Sequence, residues 1–366
     1  MLKQSLYRSI LLGPLFVLGS LSLPVSAQGQ EADSAALSAL TKSVTEQVVV
    51  PSYKTLSEES SALSEMTAGA CRDNDLNAEE YSDVFQGFRK TMQAWQTVQH
   101  FRFGPISEDN RHHRMQFWPD KKNLTARHLS KLIRETAERP VTSAELAQKS
   151  IAVQGLSAYE RMLTDERKNF CQLAPVIAEN IEVIAFQTLS EWQNPRGFSR
   201  IFTAPTEQDL AYRSSRETAR ELHSSLVALL QFVDDIKLKS VMGKTQKKAR
   251  LKRAESWRSE QSLLNMKSNL EAALALYEAG SPSMQSFLRD EETAESIDRI
   301  AVTALKNSIA LLEELGPSYQ AALETEENYQ KLQLVRENLL NARDAVETDL
   351  LNIMGLGIGF NALDGD

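Results

Sequence analysis

The residues best suited to chemistry gather in one short stretch, Gly155-Leu156-Ser157-Ala158-Tyr159-Glu160. Leu156, Tyr159 and Leu163 recur at helical spacing, and Glu160 falls inside that apolar stripe. A carboxylate among apolar side chains is expensive unless it is paired or faces a cavity, and Arg102 and Arg161 are the candidate partners. Ser157 stands three residues before Glu160 and shares its helix face. Gly155 costs a helix about 1 kcal/mol relative to Ala, which the close approach of another backbone or of a ligand would justify. The competing reading is a buried salt bridge with no chemistry.

Other residues of the binding type stand apart in sequence. Trp95 and Arg102 precede Phe103-Gly104-Pro105, which leads to Phe117-Trp118-Pro119-Asp120, and Trp257-Arg258 lies far downstream. Arginine and carboxylate groups beside tryptophan converge at ligand sites more often than in plain cores. The expected site is a cleft lined by Glu160, Ser157, Arg102, Trp118, Asp120, Trp257 and Arg258. No catalytic residue is assigned.

Several reaction classes are excluded. The five histidines are His100, His112, His113, His128 and His223, and none belongs to a His-Glu-x-x-His pair; a zincin centre needs two histidines one helical turn apart. His112-His113 follows Glu108-Asp109, but adjacent residues point to different sides, so surface histidines are expected there. There is no Gly-x-Ser-x-Gly, phosphate-binding glycine loop or dinucleotide fingerprint.

The elements that must hold these residues are helical throughout. Tyr81, Phe85, Phe88, Met92 and Trp95 are spaced 4, 3, 4, 3, one apolar stripe on a helix. Ile297, Ile300, Leu305, Leu312 and Leu315 suggest a second stripe, stopped by Gly316-Pro317, and Tyr329, Leu332, Val335 and Leu339 mark a third. Residues 222–236 and 263–277 repeat the pattern. Val48-Val49-Val50 is the best strand candidate, but it sits in a helical context before Pro51 and reads as a kinked helix. The fold class is therefore all-α. Asn194-Pro195-Arg196-Gly197 through Pro205 breaks the chain and divides it into helical domains of 34–200 and 201–366. Residues 106–123 form a long polar connection of the kind that is more often functional than accidental. A basic run, Lys244, Lys247, Lys248, Arg250, Lys252 and Arg253, reads as a solvated link able to grip an anionic partner. The glycine-rich end, Gly355 to Asp366, carries Leu356, Ile358, Phe360 and Leu363 and is expected to dock on the body, leaving Asp364 and Asp366 as oxygen donors.

The N-terminus has the order of a secretory signal peptide over 1–27: Lys3 and Arg8, an apolar stretch, then Val25-Ser26-Ala27. Gly13, Pro14, Gly19 and Pro24 interrupt it, so it is short for a membrane span, and no later segment is long and apolar enough to cross a bilayer. The expected location is the periplasm. Of 366 residues, 41 are Lys or Arg and 49 are Asp or Glu, a formal charge of −8, or −10 without Lys3 and Arg8. That balance opposes nucleic-acid binding, which requires a positive surface. The two cysteines, Cys71 and Cys171, would form a disulfide in an oxidising compartment.

Five separated motifs together resemble the imelysin-like proteins, and within them the iron-regulated protein A branch: Trp95 with Phe103-Gly104-Pro105, Phe117-Trp118-Pro119-Asp120, Gly155 to Glu160, Ala254-Glu255-Ser256-Trp257-Arg258-Ser259, and Gly359 to Asp366. The resemblance spans nearly all of the chain after the leader. It implies two bundle-like helical domains in an envelope protein of bacterial iron uptake, grouped with metallopeptidases. The family pattern Gly-x-His-x-x-Glu is matched at Gly155 and Glu160, whereas Ser157 stands where the family has His. A hydroxyl is a poor ligand for a transition metal, so only Glu160 carries over as a metal ligand. The resemblance thus points to binding of a metal, an iron-bearing ligand or an envelope partner rather than to catalysis. The alternative is a metal-dependent peptidase, and the cofactor in view is an iron or other divalent metal ion.

Overall fold

The computed structural model describes residues 34–73, 76–289 and 294–357; the expected leader (1–27) and the tail carboxylates Asp364 and Asp366 lie outside them. Ten longer helices carry the structure: α1 (Ser34–Val44), α2 (Val50–Ala70), α3 (Ala78–Val98), α4 (Leu124–Thr136), α5 (Leu156–Thr164), α6 (Phe170–Gln193), α7 (Ser215–Gln231), α8 (Ser262–Glu278), α9 (Glu295–Leu315) and α10 (Glu326–Asp344). No strand occurs among the described residues, as the all-α reading requires.

Local chemistry explains most boundaries. Asn77 caps α3 by accepting from the backbone amides of Glu79 and Glu80, and the Glu80 carboxylate accepts from the Asn77 backbone N–H, so orphan donors at that terminus are satisfied. Gly316 ends α9 in a left-handed conformation at φ 77°, which a glycine adopts at little cost. The carbonyl of the following Pro317 accepts from the Leu263 and Leu264 amides, so the stop of α9 also caps the start of α8. The valine run is helical, as read: the backbone stays helical from Ser34 to Ala70, and a π-helical turn, Thr45–Val49, lies directly before Pro51, an irregularity of the kind that accommodates a proline within a helix.

Packing follows the stripes, with one correction. Phe88, Met92 and Trp95 are buried on α3, and Tyr329, Leu332, Val335 and Leu339 on α10. On α9, Leu305, Leu312 and Leu315 are buried as expected, but Ile300 is 49% exposed while Ala301 and Ala304 are buried; only at the start of the helix does the buried face depart from the large side chains. Helices α2, α3 and α6 pack together with α5 against α6, and α8, α9 and α10 pack together with α7 against α8 and α10. The two sets meet where α1 lies on α7 and α3 lies on α8, and the buried apolar side chains form a continuous core. Cys71 and Cys171 are bonded and tie the end of α2 to the start of α6.

Candidate functional site

Between the basic run and α8 the chain abandons helical geometry. Ser256 and Glu260 sit at φ 48° and 57°, a region disfavoured for residues with a Cβ. Side chains hold the segment in this shape. Ser262 Oγ donates to the Glu255 carbonyl at 2.6 Å and Asn265 Nδ2 donates to Ser256 Oγ at 3.1 Å, while the Gln261 backbone N–H donates to the Ser256 carbonyl at 3.1 Å. The result aims Ser259 at α5. Its amide and its hydroxyl both donate to Glu160 Oε1, at 3.0 and 2.7 Å. Burial pushes the Glu160 carboxyl above its ordinary range; the two Ser259 bonds and nearby Arg258 oppose that shift, and the negative charge of Glu255 adds to it.

Gly155 is the N-cap of α5, not a residue inside a helix as the sequence suggested. A Cβ there would lie 2.1 Å from the Arg114 carbonyl oxygen and 2.2 Å from that of Met115. Only glycine lets those backbones meet, and the contact presses the 111–115 turn against the base of α5. Gln154 secures the junction: Arg114 Nε donates to its side chain at 2.7 Å, and Asn180 Nδ2 donates to its carbonyl at 2.7 Å.

One flank of Glu160 is charged. Arg258 and Arg161 both donate to Asp165 Oδ2, at 2.7 and 2.8 Å, and Arg161 also donates to Asn123 Oδ1 at 2.6 Å. The Arg258 guanidinium lies 4.3 Å from the Trp257 ring centre, in cation–π range. Asp120 caps α4, its two oxygens accepting from the Leu124 and Thr125 amides at 2.8 Å. Partial burial raises its pKa, but those amides and Arg161 outweigh burial and leave it below the usual range.

The other flank is a buried polar network. Phe232–Lys239 is a π-helical stretch, and its wider turn swings Lys237 into the core, where it is 2% exposed. Lys237 Nζ donates to Gln96 Oε1 at 2.6 Å, Asn269 Oδ1 at 2.6 Å and Glu255 Oε2 at 2.7 Å. Burial lowers the Lys237 pKa and the Glu255 carboxylate opposes that. Gln116 Nε2 donates to Glu255 Oε1 at 2.9 Å while Trp95 Nε1 donates to Gln116 Oε1 at 2.7 Å. Phe232 collects two expected site residues: Trp118 packs edge-on at 5.9 Å between centroids and the Arg102 guanidinium lies 5.2 Å from the ring centre.

The sequence-predicted residues thus fall into two groups. Glu160, Trp257 and Arg258 meet at the irregular segment, with half-buried Ser157 on the Glu160 face of α5 and Asp120 beside Arg161. Arg102 and Trp118 belong to the Phe232 flank; Arg102 is exposed, and the hydrogen bonds to Glu160 come from Ser259, not from either arginine considered as its partner. His112 is not a surface residue. Its Nε2 faces the Gln99 carbonyl at 2.8 Å and its ring packs on Trp95 at 5.1 Å. Sequence reasoning missed Lys237, Glu255, Ser259, Gln261 and Asn265. Gln261 is 1% exposed, and its Nε2 and Oε1, with Asn265 Oδ1, find no hydrogen-bond partner among the described residues.

The family model described as Imelysin, a peptidase family, matches residues 49–345. The chain belongs to the imelysin family. Its fold is similar to that of an imelysin-like protein from Psychrobacter arcticum 273-4, with a TM-score of 0.75 and 18% identity, covering 90% of this chain and 99% of that one. It is also similar to an iron-regulated protein A precursor from Parabacteroides distasonis ATCC 8503, with a TM-score of 0.73 and 13% identity, covering 89% of this chain and 97% of that one. No curated protein matches the sequence.

The imelysin resemblance implies a metal held through the Gly-x-His-x-x-Glu pattern, and this donor set does not fit one. Ser157 occupies the histidine position, Glu160 Oε1 already accepts two bonds, and Glu255 is committed to Lys237. Among the described residues no group of three or more His, Cys, Asp or Glu side chains is arranged to hold an ion. No reaction step is therefore derived through a resident metal.

Proposed function

We propose that this imelysin is a periplasmic component of bacterial iron acquisition that acts by binding an iron-bearing ligand or a partner at the Glu160–Ser259 site, without hydrolysing peptides. The observation that carries the reading is the pairing of a buried, protonatable carboxyl with orphaned amide groups. Gln261, on the segment that grips Glu160, and Asn265, in the first turn of α8, leave buried polar atoms without a partner among the described residues, and such atoms call for one. An incoming group with both donors and acceptors would satisfy them and bond to Glu160 in either protonation state. The similarity to an iron-regulated protein A precursor and the secretory leader supply the physiological setting. Ser157 in place of imidazole favours an iron complex or a protein over a bare ion.

The test uses protein purified without a His-tag. Its metal content is measured, and it is then titrated with ferrous, ferric, zinc and copper ions and with ferric citrate. Binding of the complex with weak binding of the bare ions is the expected result. Peptide cleavage that a chelator stops and Glu160→Ala abolishes would overturn the reading in favour of a metallopeptidase.

A further inference from the structure

The connection from Gly243 to Ala254 holds six cations, Lys244, Lys247, Lys248, Arg250, Lys252 and Arg253, and no acidic residue. Without these six the formal charge of the chain is −14 rather than −8, so the run is a local reversal of the protein's sign. All six side chains are exposed. None takes part in an ion pair among the described residues, although Lys267, Lys306 and Lys331 elsewhere on the surface are each paired to glutamate.

The loop is built to display them. Gly243 turns the chain at φ 68°, with the Lys248 carbonyl 2.5 Å from where a Cβ would stand. The Arg250 amide donates to the Val241 carbonyl at 2.7 Å, and Gln246 Nε2 donates to the Leu323 carbonyl at 2.6 Å. Two short 3₁₀ turns, Gln246–Lys248 and Leu251–Arg253, complete the frame, and Leu251 packs against the core. The backbone is therefore ordered before any partner arrives, which lowers the entropy cost of binding. At its edge, half-buried Trp257 lies 5.9 Å from Lys252 Nζ.

We infer that this loop is a membrane-facing surface that holds the protein reversibly against anionic phospholipid. Four of the six cations are lysines, hydrated point charges suited to a diffuse field of headgroups rather than to one bidentate anion. A tryptophan at the rim fits the headgroup level of a bilayer. The acidic remainder of the protein does not oppose the contact, because screening confines the interaction to about 8 Å at physiological salt. A long nucleic acid would instead have to run along the acidic body.

The experiment uses the protein without its leader and measures sedimentation with vesicles of phosphatidylglycerol mixed with phosphatidylcholine, and with phosphatidylcholine alone. Binding to the anionic vesicles only, weakened by added salt, is expected. The combined variant Lys244→Gln, Lys247→Gln, Lys248→Gln should weaken it about a hundredfold, at about fivefold per cation, with an unchanged melting temperature and unchanged ferric citrate titration. Equal binding to both vesicle types, binding that survives the triple variant, or retention on heparin or DNA without vesicle binding would each overturn the inference. The ferric citrate arm reads the Glu160 site separately.

Discussion

Glu255 and Glu160 are two buried carboxyls held by the same irregular segment, and they live in opposite circumstances. Glu255 faces a buried ammonium, and Lys237, Gln116 and Asn265 all donate to its oxygens. Among the described residues Glu160 has only the Ser259 donors, on Oε1, and burial drives it toward the protonated form. The first is charge locked into the frame; the second is charge left negotiable. A protein that needs a rigid cradle and a responsive contact within one segment gains from that division.

The largest effect should come from breaking the locked pair. Glu255→Ala leaves Lys237 buried without a counter-charge and should cost about 3–5 kcal/mol, seen as a large drop in melting temperature. If the pair matters through its charge balance, the joint change Lys237→Met with Glu255→Leu should be much milder than Glu255→Ala alone. A double variant as unstable as the single one would show that the polar network, not the ion pair, carries the stability.

Acid should next separate the frame from the site. Burial, with help from Arg102, pushes His100 from 6.5 down to about 3, and burial pushes His112 down to about 4. Below pH 6.5 the unfolded chain takes up protons that the folded histidines refuse, so stability falls as pH drops from 6.5 toward 3, by about 1.4 kcal/mol per unit for one such group. Denaturation curves across that range should show the loss, and His100→Leu should reduce its slope.

Glu160 should respond in the opposite sense. Its folded pKa lies above 4.5, so the folded state holds a proton that the unfolded state has released, and stability declines as pH rises from 4.5 through the raised value. Glu160→Gln removes that decline. Its stability should match the parent in acid and equal or exceed it near neutrality, as urea titrations at several pH values would reveal. A Glu160→Gln protein much less stable at neutral pH would place Glu160 with Glu255 in the frame.

Much of this division was invisible in the sequence for definite physical reasons. Stripes with large apolar residues, such as Phe88, Met92 and Trp95, were legible because one period describes the whole helix. Ile300 misled because small residues, Ala301 and Ala304, line the true face. Lys237 drew no notice in the sequence because its environment depends on a π-helical turn, which a 3.6-residue period cannot anticipate. Trp257 and Arg258 stood out by type, whereas the roles of Glu255, two residues before them, and of Ser259, directly after, required the positive-φ turns at Ser256 and Glu260 to be known. Gly155 announced a close approach, but the approaching backbone, at Arg114 and Met115, came from the long 106–123 connection.

In the proposed function Glu160 contacts a ligand rather than supporting the fold or catalysing a reaction. The most direct measurement is calorimetric titration of ferric citrate into the parent protein and Glu160→Gln, with melting curves of both recorded at neutral pH. Ligand contact at Glu160 should give binding by the parent, at least a tenfold weakening in the variant, equal or higher thermal stability of the variant, and no peptide cleavage by either. Unchanged binding in a destabilised variant would contradict it.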